Sequence, residues 1–402
     1  MSLKIFFISS MYTGALESFY EKHNNIKHLS YNEHYELLLE KTTEFVGSYI
    51  RGFKKLGFDA KCIIANDDIL QAKWQKEYGH ISDHSMGLIY QQVNSFKPEI
   101  LWVDNLNYVD RSWLNVVRSN ITSVRLIVGY HCSPYGSKIL ETLKAIDFII
   151  TCTPGLKSEL ENNGLRSYCV YHGFDDHLIS GLTDNSNLPK NDFVFSGSLI
   201  PGGKFHDERI KLIEALLKEN IDIALYVNLD KQLRIKAKQS IYLVYCLLRK
   251  LSLEKVADKI SIFDHGKNRI DNYSDALLKS CHPPFYGIDM YKLFSRSEIV
   301  LNMHIGVAGN YAGNMRLFEV TGVGSCLLTD NKKNIGDLFD KDNEVVVYDN
   351  PEDCIRKVKW LLENTADRKR IAQNGQNKTL KYHTVANRCN EISEILIKEI
   401  KK

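Results

Sequence analysis

Asn310, Gly313, Asn314, Arg316 and Glu319 fall within ten positions of one another, in the run NYAGNMRLFEVTGVGSCLLTD at 310–330. Their types suit anion and hydroxyl recognition. The loop residues Asn310, Gly313 and Asn314 lead into a predicted helix at Met315–Thr321. Backbone N–H groups at such an entry lack intrahelical partners, and the helix dipole favours negative charge, so a diphosphate fits there. Glu319 lies five residues past Asn314, about one and a half turns into the helix at roughly 3.6 residues per turn. Its carboxylate there would accept hydrogen bonds from ribose hydroxyls. Arg316 stands i, i+3 from Glu319, so it could instead serve as the carboxylate's partner. Gly322 and Gly324 then turn the chain into a strand at Ser325–Thr329.

Other residues could share that chemistry. Lys204, His206 and Arg209 follow a Gly-rich turn beyond Ser198 and could neutralise a departing diphosphate, where stabilising developing charge matters most. The plainer reading of each is a solvated charge. His131 ends a predicted strand in LIVGYHCSPYG, at the edge where α/β sheets present ligand-contacting groups, although lone histidines usually just pack. Ser9, Ser10, Thr13 and Gly14 follow the first predicted strand, and no Gly-Lys-Ser/Thr succeeds them, so this is not a Walker loop. Asp340-Lys341-Asp342 has the form of a metal-binding string but sits in a predicted turn, and no metal role is expected for it. No His/Cys spacing suggests zinc, no Ser/His/Asp set is legible, and no aromatic-basic interleaving suggests RNA.

The elements that must hold these groups alternate. Strands are expected at Lys4–Ser9, Ala60–Ala65, Ile100–Val103, Val124–Tyr130, Phe148–Cys152 and Tyr168–Tyr171. Helices are expected at Glu33–Leu56, Ala72–Tyr78, Met86–Phe96, Ser137–Ala145 and Gly155–Asn163. That is the βαβ pattern of a parallel sheet. A polar, turn-rich stretch at Phe174–Lys190 reads as a linker. A second series follows, with strands at Phe193–Gly197, Ile223–Val227, Ile260–Phe263, Glu298–Met303, Ser325–Thr329 and Glu344–Val347. Its helices are expected at Glu208–Lys218, Phe285–Phe294, Met315–Thr321, Pro351–Glu363, Ala366–Tyr382 and Ala386–Ile400. The fold class is α/β, with two Rossmann-like doubly wound domains facing across a cleft, where small-molecule sites preferentially lie. The expected limits are 1–175 for the first domain, 176–190 for the linker, 191–382 for the second domain and 383–402 for a last helix.

Bulk composition narrows the function classes. A chain of 402 residues with 44% hydrophobic content supports two to three cored domains, and 52 basic against 49 acidic residues offers no global field for nucleic acid. The nine cysteines form no CxxC pair and mostly fall in apolar runs, as reduced core residues do. No signal-peptide pattern and no apolar run near the roughly 20 residues of a bilayer span are present, so a cytoplasmic chain is expected. One stretch, 231–255, carries seven basic residues against one acid around an apolar centre at Ile241–Leu248. It reads as a helix packed on the second domain, or as a peripheral contact with the inner face of a membrane.

The residues Asn314–Asp330 resemble the signature of the group 1 glycosyltransferases of GT-B fold, in the spore-maturation-protein-like branch, whose members read N-M-R-L-F-E-x-T-G-x-G-x-x-L-L-T-D. Phe193–Leu217 resembles the first strand, Gly-rich turn and helix of that family's second domain. Tyr168–Asp175, YCVYHGFD, resembles the strand that closes its first, with His172 where Asn is commoner. The resemblance implies transfer of a sugar from a nucleotide-sugar donor to a glycan, lipid-linked or surface-polymer acceptor, with retention, without metal or other cofactor, and without nucleic acid. It implies nucleotide binding through Glu319 and phosphate contacts by Lys204 and Arg209. It also implies a donor-sugar contact by His131, an acceptor side at Ser10, Thr13 and Gly14, and a last helix crossing back to the first domain. Two positions depart from the pattern. Tyr311 replaces the glutamate that retaining members carry eight residues upstream of Glu319, leaving neutral hydrogen bonds from Asn310, Tyr311 and Asn314; Ser198 replaces the usual arginine. An NDP-sugar epimerase of the same fold, or a non-catalytic sugar- or nucleotide-binding module, stays open as an alternative.

Overall fold

The computed structural model describes residues 2–402 apart from 44, 80–84, 183–188, 203–205, 254–259, 261, 264–266, 268, 305 and 307–308. It contains two six-stranded sheets. The first comprises β1 (Lys4–Ser9), β2 (Asp59–Ile64), β3 (Ile100–Val103), β4 (Leu126–Tyr130), β5 (Phe148–Thr151) and β6 (Ser167–Cys169), in the order β2-β1-β3-β4-β5-β6. The second comprises β7 (Asn191–Leu199), β8 (Ala224–Leu229), β9 (Cys281–His282), β10 (Ser297–Asn302), β11 (Cys326–Asp330) and β12 (Val346–Tyr348), in the order β12-β11-β10-β7-β8-β9. Every pairing is parallel. Strands such as β3, ILWV, are buried throughout, as expected when helices cover both faces of a parallel sheet. In each sheet the strand order reverses beside the first strand, β1 or β7, and a ligand crevice opens at such a reversal.

Several sequence expectations need correction. The helix expected over Glu33–Leu56 is two helices, Tyr31–Lys41 and Phe45–Lys55. Thr42 turns its hydroxyl back onto Leu38 O at 2.7 Å, and Thr43 adopts φ 54°, which ends the first helix. A helix at Thr13–Lys22, not among the expected elements, carries Thr13 and Gly14. Of the strand expected at Ile260–Phe263, residue 261 lies outside the described residues and 260, 262 and 263 are not in a strand; the edge position belongs to Cys281–His282. The helix expected from Phe285 starts at Ile288, after Pro283, Pro284 and a left-handed Gly287 at φ 58°.

The last helix, Val385–Ile400, opens with a capping box between Thr384 and Asn387 and packs its Val385, Cys389, Ile392 and Leu396 into the core of the first sheet. It lies against Phe45–Lys55 so closely that a Cβ on Gly52 would stand 2.4 Å from Cys389 Sγ. Gly52→Ala should therefore overpack this contact and destabilise the protein by about 1–3 kcal/mol, read as a lowered denaturant midpoint. Among the described residues no helix is long and apolar enough to cross a membrane.

Candidate functional site

A cavity of about 950 Å³ lies between the carboxyl edges of the two sheets. Its walls come from both, and the domains touch around it. Gly14 packs so tightly on Tyr286 that a Cβ would fall 2.3 Å from the ring, and a Cβ on Gly313 would fall 2.5 Å from Cys152 O. Only glycine permits these approaches. Gly313 thus serves domain contact, a use its place in an anion loop did not suggest.

On the wall of the second sheet, the helix Arg316–Gly322 carries Glu319, which is 7% exposed. Arg316 Nη1 donates to Glu319 Oε2 at 2.8 Å and Nη2 to Ser196 O at 3.3 Å, while the guanidinium lies 4.4 Å from the Phe294 ring centroid. Tyr291 adds a long contact to Oε1 at 3.4 Å. The pair is held by stacking and hydrogen bonds, so Glu319 presents an oriented carboxylate to the cleft.

Arg209 reaches the same space from the helix Asp207–Lys218. Its Nε and Nη2 both donate to Met303 O, at 3.1 and 2.6 Å. Among the described residues no carboxylate forms an ion pair with it. Burial, then repulsion from Arg316, pull its pKa down to about 10. Two guanidinium groups facing one enclosed space with a single carboxylate between them favour an anion.

His304 follows β10 and also lines the cleft. Asp330, at the end of β11, accepts from His304 N at 2.9 Å, lies 2.7 Å from His304 Nδ1 and pairs with Lys332 at 3.0 Å. Despite burial, the hydrogen bond and charge of His304 and the charge of Lys332 keep the Asp330 carboxyl below its usual range. With Nδ1 occupied, the buried Nε2 of His304 has no protein partner among the described residues.

The first sheet supplies Asp104 from the end of β3. Its Oδ2 accepts from Ser9 Oγ at 2.6 Å, while Oδ1 is sealed from solvent without a partner among the described residues. Burial raises its pKa to about 7. Ser10, Thr13 and Gly14 line the same wall, and Asn105 Nδ2 donates to Ser10 Oγ at 2.6 Å.

Cys132, Cys152 and His172 meet beside them, with ligand-type atoms within 4.8 Å of one another. A Cys/Cys/His set is chemically a soft-metal donor set. Here Tyr130 Oη lies 2.9 Å from His172 Nδ1, and hydrogen bonds from Cys152, His172 and Tyr130 favour the Cys132 thiolate against its burial.

Not every expected residue reaches the cleft. His131 does not line it: Tyr130 and Cys132 point inward, so the intervening side chain takes the opposite face, where its ring meets Tyr135 edge-on at 5.6 Å. His206 stays outside and sits 2.9 Å from Ser198 O through Nδ1, its pKa lowered by burial. Asn310 is exposed, and Tyr311 turns towards Lys333, whose Nζ is 5.8 Å from its ring centroid. Lys204 lies outside the described residues. Ser198, Arg209, Gly313, Asn314, Arg316 and Glu319 all line the cleft, with Asn314 Nδ2 donating to Asn302 Oδ1 at 2.7 Å. Asp104, His304 and His172 were missed as site residues. The signal for Asp104 was a polar residue directly after an all-apolar strand, LWVD. A second hollow, about 520 Å³, lies at the opposite edge of the second sheet, where Arg368 is already paired with Glu298 at 2.9 Å.

Residues 249–394 match the family model described as glycosyl transferase-like, a span that includes Asn302, His304, Arg316, Glu319 and Asp330. No curated protein matches the sequence significantly. Among solved structures, a glycosyltransferase from Rickettsia africae aligns over 100% of this chain and 99% of its own at 13% identity, TM-score 0.56. HepE from Anabaena, in complex with UDP-glucose, aligns over 98% and 100% at 13% identity, TM-score 0.58. Sucrose-phosphate synthase from Thermosynechococcus elongatus aligns over 99% of both chains at 8% identity, TM-score 0.59. Such identities speak for the fold, and the matched segment for the family. Residues 249–394 match the glycosyl transferase-like family model, and the whole chain has the GT-B fold of these structures.

Proposed function

We propose that this protein transfers a sugar from a nucleotide-diphosphate donor to a saccharide, lipid-linked or other surface-polymer acceptor, with retention and without a metal. The observation that carries this reading is Arg209, a half-buried cation without a carboxylate ion pair among the described residues, facing the same cleft as the Arg316–Glu319 pair. Glu319 takes the ribose hydroxyls, Arg209 and Arg316 the diphosphate, and the Gly313–Asn314 entry the donor's remaining polar groups. HepE, bound to UDP-glucose, supports a nucleotide-sugar donor in this architecture. Residues 1–175 form the acceptor side, 191–382 the donor side, 176–190 the linker and 383–402 the helix that returns. Closure of the two sides limits donor hydrolysis by excluding water. The resemblance of Asn314–Asp330 supports membership of the spore-maturation-protein-like branch.

A thermal-shift screen against UDP, GDP, ADP, CMP and their sugar conjugates tests the donor site. A nucleotide held at about a hundred times its Kd stabilises the native state by about 2.7 kcal/mol, and no shift with any of them counts against the reading. Glu319→Ala should weaken binding of the responding nucleotide by roughly 1.5–3 kcal/mol in calorimetric titration, the scale of hydrogen bonds to a charged group. Unchanged affinity removes Glu319 from the site.

Asp104 favours a second reading. A carboxyl with a free, enclosed Oδ1 on the acceptor side could take the proton of the attacking hydroxyl, which accompanies inversion. Asp104→Asn would then lower kcat by about 10²–10⁴-fold, and NMR of the product would show the opposite anomer. A retained anomer with little change in kcat leaves the first reading standing.

A further inference from the structure

The helix Gln232–Lys250 has one face without a protein partner among the described residues. Its inner side is anchored: Ile235 and Tyr245 are buried, and Tyr245 meets Phe263 with Ile241 and Leu248 alongside. Its outer side exposes Leu233 at 81%, Leu243 at 67% and Leu247 at 57%, with Val244 and Leu251 also open to solvent. Leu243, Val244, Leu247 and Leu251 follow one another at helical spacing as one stripe, and Leu233 lies on the same line about three turns earlier, with Ser240 between. Scattered exposed leucines need no explanation, but a stripe along one helix does.

The charges beside it are of one sign. No Asp or Glu occurs from Lys231 to Leu253, and Lys236 and Lys250 border the stripe at the same helical spacing. Neither has a carboxylate partner among the described residues, whereas Lys238, on the inner side, is tied to Asp230 at 2.7 Å and Pro201 O at 3.0 Å. An apolar stripe with basic flanks and no acid complements an anionic lipid surface, where the leucines leave water and the lysines meet headgroups. The helix starts just past β8, whose Asn228 lines the cleft, so a surface held by the stripe lies beside the cleft mouth.

We propose that the helix Gln232–Lys250 docks this protein onto anionic phospholipid bilayers, with Leu233, Leu243, Val244, Leu247 and Leu251 entering the headgroup–acyl boundary and Lys236 and Lys250 binding the headgroups. The proposal does not depend on the transfer reaction. It is tested by co-sedimentation of the full chain with vesicles of phosphatidylcholine alone and of phosphatidylcholine mixed with phosphatidylglycerol. The native chain should pellet with the anionic vesicles at least about tenfold more than with the neutral ones, and high salt should weaken that binding. The double variant Leu243→Gln, Leu247→Gln and the double variant Lys236→Glu, Lys250→Glu should each lose about tenfold or more of it with an unchanged Tm, because these side chains are exposed. Absence of pelleting, or equal pelleting with neutral vesicles, overturns the proposal. So does a vesicle-free dimer in light scattering that the leucine variant abolishes, which would make the stripe a contact between copies of this chain.

Discussion

Arg209→Ala should lower turnover about 10²–10³-fold while leaving the unliganded protein at least as stable as before. The two halves of that expectation have one cause. The guanidinium is half-buried, faces Arg316, and has the Met303 carbonyl, the Phe195 ring 5.7 Å away and the more distant charge of Asp330 to offset its charge. Burial and the neighbouring Arg316 draw its pKa down to about 10, the electrostatic cost of holding the charge there. On the proposed function a diphosphate would relieve it, and the relief would grow as leaving-group charge develops, so the residue should act mainly on the transition state. Arg209→Lys should restore part of the activity, since a point charge replaces a fork. The check is kcat with the responding donor beside a thermal melt of the apoprotein. A variant that melts far below the native chain yet turns over normally once folded would make Arg209 structural.

Asp104→Asn should remove a pH dependence of stability. In the folded chain burial raises the Asp104 pKa to about 7, against about 3.9 for an unfolded aspartate. Between these values the folded state binds the extra proton, so the stabilising contribution is fully present below about pH 4 and is lost as pH rises through about 7. As a whole the residue is half-buried, but its Oδ1 is shut off from solvent. The loss is on the order of 3 kcal/mol. Chemical denaturation of the native chain at pH 5 and pH 8 should show it, and the asparagine variant should gain stability relative to the native chain at the higher pH. Equal pH profiles for the two chains would mean that Asp104 stays ionised in the cleft. The second reading of the reaction needs this same carboxyl ionised, to accept the proton of the attacking hydroxyl, so the stability profile and the anomer of the product bear on one group by independent routes.

Much of this arrangement was legible because it is local. The five-residue interval between Asn314 and Glu319 and the i, i+3 spacing to Arg316 both follow from helical geometry, and the structure shows the pair at 2.8 Å. The apolar runs that became β1, β3, β7 and β10 needed no partner to be recognised, since parallel strands covered on both faces read as continuous hydrophobic segments. The two-residue strand β9 could not be found that way. Cys281–His282 is too short for any period to show, and Ile260–Phe263 had the more strand-like composition.

What stayed illegible shares a different property. His131 and Cys132 are neighbours at one strand end, and only the pleat decides that the cysteine faces the cleft and the histidine turns away. Asp104, His304 and His172 are single polar residues beyond the ends of three different strands; Asp104 had only the polar-after-apolar signal of LWVD, and nothing in the local sequence of the two histidines separates a packed group from one lining a shared cavity. Gly14 and Gly313 resembled loop glycines until the opposing domain put Tyr286 and Cys152 against them.

From the sequence alone came two α/β units, their strands, the signature helix with its Arg–Glu pair and a basic apolar helix, all set by the spacing of residues close along the chain. The tertiary structure decided which strand-end side chains share one cavity, which of the cations there lack a carboxylate, and which face of the basic helix stays in water. Those outcomes depend on register and on contacts between residues far apart in sequence, and a one-residue change of phase in any strand would reverse them.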